Sequence, residues 1–238
     1  ALLKTGNLAM KSKKLAQRFY KKAKLAIKEG DVDNYQYFLA KAFNNGSFPA
    51  RLKVYNANLM NAVNDEDIER AVNRLEALGK TFAAASQCLA DHYYAGDFLP
   101  KNLKKAFEWT TLAAKQGDLT AQGNLGICYS QGLGVEKDYT KAVYWSERAA
   151  KEGKSNAQNN LGIWYAMGTG VEKDYKKALD WFKKASDLGH LNAQTSLAWM
   201  YHSGLGVEAD IKTSLYYWRL AERQGDPVAK LRLAEAYM

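Results

Sequence analysis

Five side chains here could ligate a metal or supply a nucleophile or base: Cys88, Cys128, His92, His190 and His202. Zinc ligands recur at short spacings such as CxxC or HExxH, which place two donors on one turn or one helix face. None of the five stands in such a pair. No GxSxG elbow is present, and neither cysteine is read as having an activating base beside it. The glycine pairs Gly132–Gly134, Gly168–Gly170 and Gly204–Gly206 look at first like phosphate-cradling loops. They lack a third glycine, and each follows a helical stretch rather than a strand, so they read as turns. Acid pairs such as Asp65 and Glu66 suit a solvated helix start better than a general acid–base couple. The expectation is a chain with no enzyme activity, cofactor or metal.

The elements that carry these residues are built on a repeat. Residues 121–156 and 157–192 agree at 20 of 36 positions, and related starts fall at Ala85, Ala121, Ala157, Ala193 and Ala229. A constant step of this length is the mark of a repeat array. In each unit Ala121, Leu125 and Tyr129, or their counterparts, recur every fourth residue and share one helix face. Gly126 offers bare backbone for close helix approach, Gly132 and Gly134 permit the positive φ of a helix stop, and Val135 anchors the loop. Asp138 stands where the next helix needs an N-cap, and Ala142, Trp145 and Ala149 supply that helix's buried stripe. A single hairpin cannot bury both faces, so the units must stack. The predicted fold is all-α, a right-handed superhelical α-solenoid of antiparallel helix pairs.

The chain has 238 residues, 47% of them hydrophobic, enough to bury a core. No apolar run approaches the roughly 20 residues that span a bilayer, and the first 28 residues show neither the apolar region nor the cleavage motif of a signal peptide. The net charge of +9 is concentrated: nine basic residues, Lys4 to Lys28, precede the first acid, Glu29, and the remainder balances 25 basic against 25 acidic residues. In this basic helix Leu15, Phe19, Ala23 and Ile27 form an apolar stripe expected to dock on the next helix, Asn34 to Phe43.

The pattern AxxxLGxxYxxGxGVxKDxxKAxxWxxxAAxxG resembles the Sel1-like repeat, a relative of the tetratricopeptide repeat. On that reading residues 1–49 are a divergent basic cap and 50–84 a degenerate repeat. Residues 85–120, 121–156, 157–192 and 193–228 are four full repeats, and 229–238 is the helix of a truncated one. The resemblance implies a protein-binding adaptor or scaffold, in bacteria an exported or periplasmic protein such as an effector-immunity or host-interaction protein, with a cytoplasmic location left open. Some members staple each repeat with a disulfide. Here Cys88 and Cys128 lie in different repeats, and free thiols are expected, an inter-repeat bridge being the alternative.

By analogy with tetratricopeptide arrays the concave wall is drawn from the first helices. The partner-binding residues predicted there are Asp91, Tyr94, Ile127, Gln131, Asn159, Ile163, Met167, Trp199, His202 and Glu235. Trp109, Trp145 and Trp181 recur at the repeat period and read as core; Trp164 and Trp199 fall on first helices, and Trp218, one residue past the matching Tyr217, reads as exposed. The expected partner is a protein or peptide rather than a small molecule. The alternative is an anionic surface or nucleic acid held by the basic helix, with Phe19 and Tyr20 interleaved.

Overall fold

The computed structural model describes residues 2–236, with side chains from Ser12 onward. Lys4, Lys11 and the last two residues of the expected final helix therefore lie outside the described side chains. Among the described residues there are thirteen α-helices and no strand: α1 (Leu2–Lys28), α2 (Val32–Asn44), α3 (Phe48–Met60), α4 (Asp65–Gly79), α5 (Ala83–Ala95), α6 (Leu103–Lys115), α7 (Leu119–Gln131), α8 (Tyr139–Lys151), α9 (Ser155–Met167), α10 (Tyr175–Asp187), α11 (Leu191–Ser203), α12 (Ile211–Arg223) and α13 (Pro227–Ala236). They form two compact units, Ala1–Asn102 and Leu103–Met238, the division falling between α5 and α6.

In the second unit each hairpin is closed by the residues that the repeat conserves between copies. Gly168 ends α9 in the left-handed conformation, φ 73°, its N–H donating to the carbonyl of Trp164. Three residues on, Val171 packs against the core. Asp174 then does two jobs. Its N–H donates to the Tyr165 carbonyl at 2.8 Å, closing the loop, and its carboxylate accepts from the Lys177 N–H at 3.0 Å, capping α10. Asp138 and Asp210 cap α8 and α12 in the same way. The carboxyls of Asp138 and Asp174 are held below their usual range, first by the capping backbone N–H. The fixed loop length follows from this double use of one residue.

Within a hairpin, Leu125, Leu161 and Leu197 are fully buried, each contributing about 1.5–3 kcal/mol of apolar transfer. Close approach is set one residue later. A Cβ on Gly162 would lie 2.5 Å from the Phe182 ring, so this position is glycine because a ring occupies the space. The following repeat keeps Ala198 there and places Trp218 in the same cluster. The second glycine of each loop does more than turn the chain. A Cβ on Gly170 would lie 2.5 Å from the carbonyl carbon of Tyr139, the first residue of α8 in the preceding repeat, and Gly206 meets Tyr175 at 2.6 Å likewise. Neighbouring repeats are thus packed backbone to backbone at this point. Buried glutamines join them elsewhere: Gln122 Nε2 donates to the Ala114 carbonyl at 3.2 Å and Gln158 Nε2 to the Ala150 carbonyl at 3.0 Å. The expected core tryptophans Trp145 and Trp181 are half-buried and pack against the hydrophobic clusters.

In the first unit α1 packs along α2 and α3 pairs with α4. The stripe expected on α1 is corrected: Leu15 and Ile27 are 41% and 44% exposed, whereas Ala16, Ala23 and Ala26 are buried and Phe19 stacks on Phe38 at 6.3 Å. Packed helices meet along rows spaced by three and four residues, and small side chains in that row let the axes approach. A strict step of four drifts off the contact face. Ser47 and Asn64 cap α3 and α4.

Candidate partner-binding face

The first helices α7, α9 and α11 touch in succession, and α13 packs on α12. The start of α7 is fixed by Asp118, whose carboxylate accepts from the Ala121 N–H at 2.7 Å, and that of α13 by Asp226, which accepts from the Ala229 N–H at 2.6 Å. At α11 the cap is a histidine. His190 Nδ1 accepts from the Ala193 N–H at 3.3 Å, leaving Nε2 to donate to Asn156 Oδ1 in the preceding repeat at 3.1 Å. Both bonds suit the neutral ring, and burial pushes its pKa down.

The predicted wall residues divide by surroundings. Met167 is 68% exposed and Trp199 39%; Gln131, His202 and Glu235 are also exposed. Ile127 and Ile163 are half-buried, and Ile163 packs against the clusters on both sides of it. Asn159 is buried, with only 4% exposed, and offers no side-chain surface; its Oδ1 has no hydrogen-bond partner within the chain. Asp91 and Tyr94 are exposed on α5 of the other unit, Asp91 accepting from Gln87 at 2.7 Å.

Around Trp199 the structure assembles a cluster that the sequence reading only half located. Its ring meets Trp218 edge-on at 5.5 Å and His202 at 6.0 Å. From α13 the Arg232 guanidinium lies 4.6 Å from its centroid and also pairs with Glu235 at 2.9 Å. Trp218 is 3% exposed, which corrects its expected exposure. The reason is that Tyr217 takes the half-buried repeat position and stacks on Tyr201. Trp218 thereby enters the place that Phe182 fills one repeat earlier. Trp164 is likewise core, at 7%. Arg232 was missed because a cation–π partner one helix away leaves no spacing signal.

The groups singled out for chemistry are occupied structurally. Cys88 and Cys128 are both free thiols, pushed up to about 11 by burial. Contrary to expectation Cys88 does have a base one helical turn away: its thiol donates to Asn56 Oδ1 at 3.2 Å, and His92 Nε2 lies 2.7 Å from the same oxygen. Asn56 stands between them, so the pair does not form an activated thiolate. Among the described residues no cluster of three metal-ligating side chains occurs, and no helix is long and apolar enough to cross a membrane.

The family model of the Sel1 repeat matches residues 89–118, 119–154, 155–190 and 191–226. The chain belongs to the Sel1 repeat family. Among solved structures, c5321, a protective antigen present in uropathogenic Escherichia coli strains displaying an SLR fold, is 28% identical with a TM-score of 0.78 over 94% of this chain and 48% of its own. This chain thus spans about half of that protein's length. A Sel1 repeat protein from Oxalobacter formigenes is 31% identical, TM-score 0.68, over 79% of this chain and 74% of its own. The immunity protein PA5088 from Pseudomonas aeruginosa, 18% identical over 90% of this chain and 83% of its own, shares the fold with a TM-score of 0.51. No curated protein matches the chain.

Proposed function

We propose that this Sel1 repeat protein is a non-catalytic interaction module that grips a protein or peptide partner on the wall formed by α7, α9, α11 and α13. The observation that carries this reading is the aromatic cluster at Trp199. An exposed indole supported by a buried one and flanked by a cation costs little entropy to order on binding, the property of an interface anchor. Met167, and Leu231 at 57% exposure, extend the apolar surface along neighbouring helices. The finer role we assign is host contact. It follows the description of the E. coli relative as a protective antigen; the P. aeruginosa immunity protein adds only a shared fold.

The test is photo-crosslinking from position 167 in a bacterial host to capture the partner, followed by titration of the purified pair. Trp199→Ala and Met167→Glu are expected to weaken binding at least about tenfold, or 1.4 kcal/mol. Tyr144→Ala, a 54% exposed aromatic on α8, is expected to leave it unchanged. Wild-type affinity in both wall variants, with circular dichroism unaltered, would overturn the assignment. Ile163 is unsuited to this test because charge there would split two repeat cores.

A further inference from the structure

The first unit holds a second surface, independent of the wall just described. Beside α1, the α2–α3 turn and the start of α5 leave a hollow of about 840 Å³. Its apolar lining includes Tyr20, Phe48 and Phe82, and its basic lining is Lys13, Lys21 and Lys24. Phe48 is 41% exposed and rests on the Phe82 ring at 5.7 Å, so the aromatic floor is braced from below. At one end Ser12 Oγ donates to the Asn45 carbonyl at 3.3 Å, tying α1 to the turn.

Among the described residues no carboxylate lines the hollow. The sequence places no acid before Glu29, and no salt bridge among the described residues engages Lys13, Lys21 or Lys24. Three ammonium groups held beside an apolar cavity form an unneutralised field, strongest for a ligand that brings both carbon and negative charge. Past Lys21 the surface continues as a shallower hollow of about 420 Å³ between Arg18, Lys22 and Leu25. From Ser12 to Leu25 the helix rises about 20 Å, the reach of roughly six residues of extended chain.

We propose that this hollow is a docking site for an acidic peptide segment that carries an aromatic or long aliphatic side chain between carboxylates. The apolar side chain enters over Phe48 while flanking carboxylates meet Lys13, Lys21 and Lys24. The volume lies in the range of sites that enclose an organic group and far exceeds that of a simple anion. A nucleic acid is disfavoured because its phosphates continue at short intervals, whereas the basic surface ends with α1 and the rest of the chain is charge-balanced.

Fluorescence anisotropy of the purified full chain tests this with a labelled peptide Gly-Glu-Glu-Phe-Glu-Glu-Phe-Glu-Glu-Gly. The controls are the same peptide with serine for phenylalanine, the same with glutamine for glutamate, a ten-nucleotide thymidine oligomer, and phosphatidylglycerol–phosphatidylcholine vesicles. The parent peptide is expected to bind at least about tenfold tighter than either peptide control. The double charge reversal Lys21→Glu, Lys24→Glu is expected to remove that binding, and Phe48→Ala to weaken it about fivefold. Trp199→Ala is expected to leave it unchanged, which separates this site from the wall of the second unit. Lys21 and Lys24 are exposed, so the reversal leaves the fold intact by circular dichroism. The proposal is overturned by an absence of binding at millimolar peptide, by equal affinity for the serine peptide, by tighter binding of the oligonucleotide or vesicles, or by indifference to the charge reversal.

Discussion

Two alanine substitutions separate turn geometry from the coupling of repeats. Gly170 and Gly189 have similar positive φ, 71° and 79°, yet a Cβ on Gly189 meets nothing within 4 Å, while one on Gly170 lies 2.5 Å from the Tyr139 carbonyl. Placing alanine in the left-handed region costs about 1–2 kcal/mol. Loss of backbone freedom in the unfolded chain returns about 0.4–1 kcal/mol of that. Gly189→Ala is therefore expected to destabilise by about 1 kcal/mol. Gly170→Ala carries the same cost and must also shift the start of α8 by about an ångström to reach ordinary contact at 3.4 Å. Because that atom is backbone inside a capped helix, the shift costs a further ~1–3 kcal/mol, as for overpacking elsewhere. The predicted difference between the two variants is thus about 2 kcal/mol. With a urea slope near 2 kcal/mol per molar, it separates their midpoints by about 1 M. Circular dichroism during urea denaturation measures this directly. Equal midpoints for the two variants would refute the claim that the second glycine of the loop couples neighbouring repeats.

Other consequences follow from single contacts. Gln158→Leu removes the Nε2 bond to the Ala150 carbonyl, which still accepts from the Gly153 N–H, and is expected to cost about 0.5–1.5 kcal/mol in the same urea measurement; an unchanged midpoint would mean that the bond adds nothing. His190 has a lowered folded pKa, so its contribution is complete above the unfolded value near 6.5 and is lost as pH falls through the folded value. His190→Asn, which retains a capping oxygen, should therefore lack part of the wild-type fall in melting temperature below about pH 6.5, and parallel curves would contradict the neutral-ring cap. With thiols at about 11 rather than the ordinary 9.0, Cys88 and Cys128 should react with an aromatic disulfide reagent about 100-fold more slowly than a free thiol at pH 8. Rapid labelling of the native chain would refute their burial.

Much of the hairpin was legible in the residues because its determinants are local. Asp174 caps α10 through a bond to a residue three positions on, and Gly168 stops α9 by its own φ. Such features need no knowledge of the neighbouring repeat. The wall was legible only as a set of repeat positions. Met167 and Trp199 are exposed as expected, but Asn159 is buried and Ile163 is wedged between two clusters. Trp164 and Trp199 look equivalent in sequence, both aromatics on first helices. They occupy adjacent repeat positions about 100° apart around the helix, and that rotation turns one into the core and the other outward. The i, i+4 relation of Cys88 and His92 was equally readable, yet the sequence did not show that Asn56, from another helix, would stand between them.

The sequence by itself determined the helix pairs, their loops, their caps and the 36-residue step, because dihedral preference and hydrogen bonding within four residues decide these things. Only the tertiary structure decided which aromatics face outward, that Gly170 is a contact between repeats rather than merely a turn, and that alanines rather than Leu15 and Ile27 seat α1 on α2. Each of those outcomes depends on the shape of a neighbouring helix, and no spacing along a single helix encodes what that neighbour leaves open.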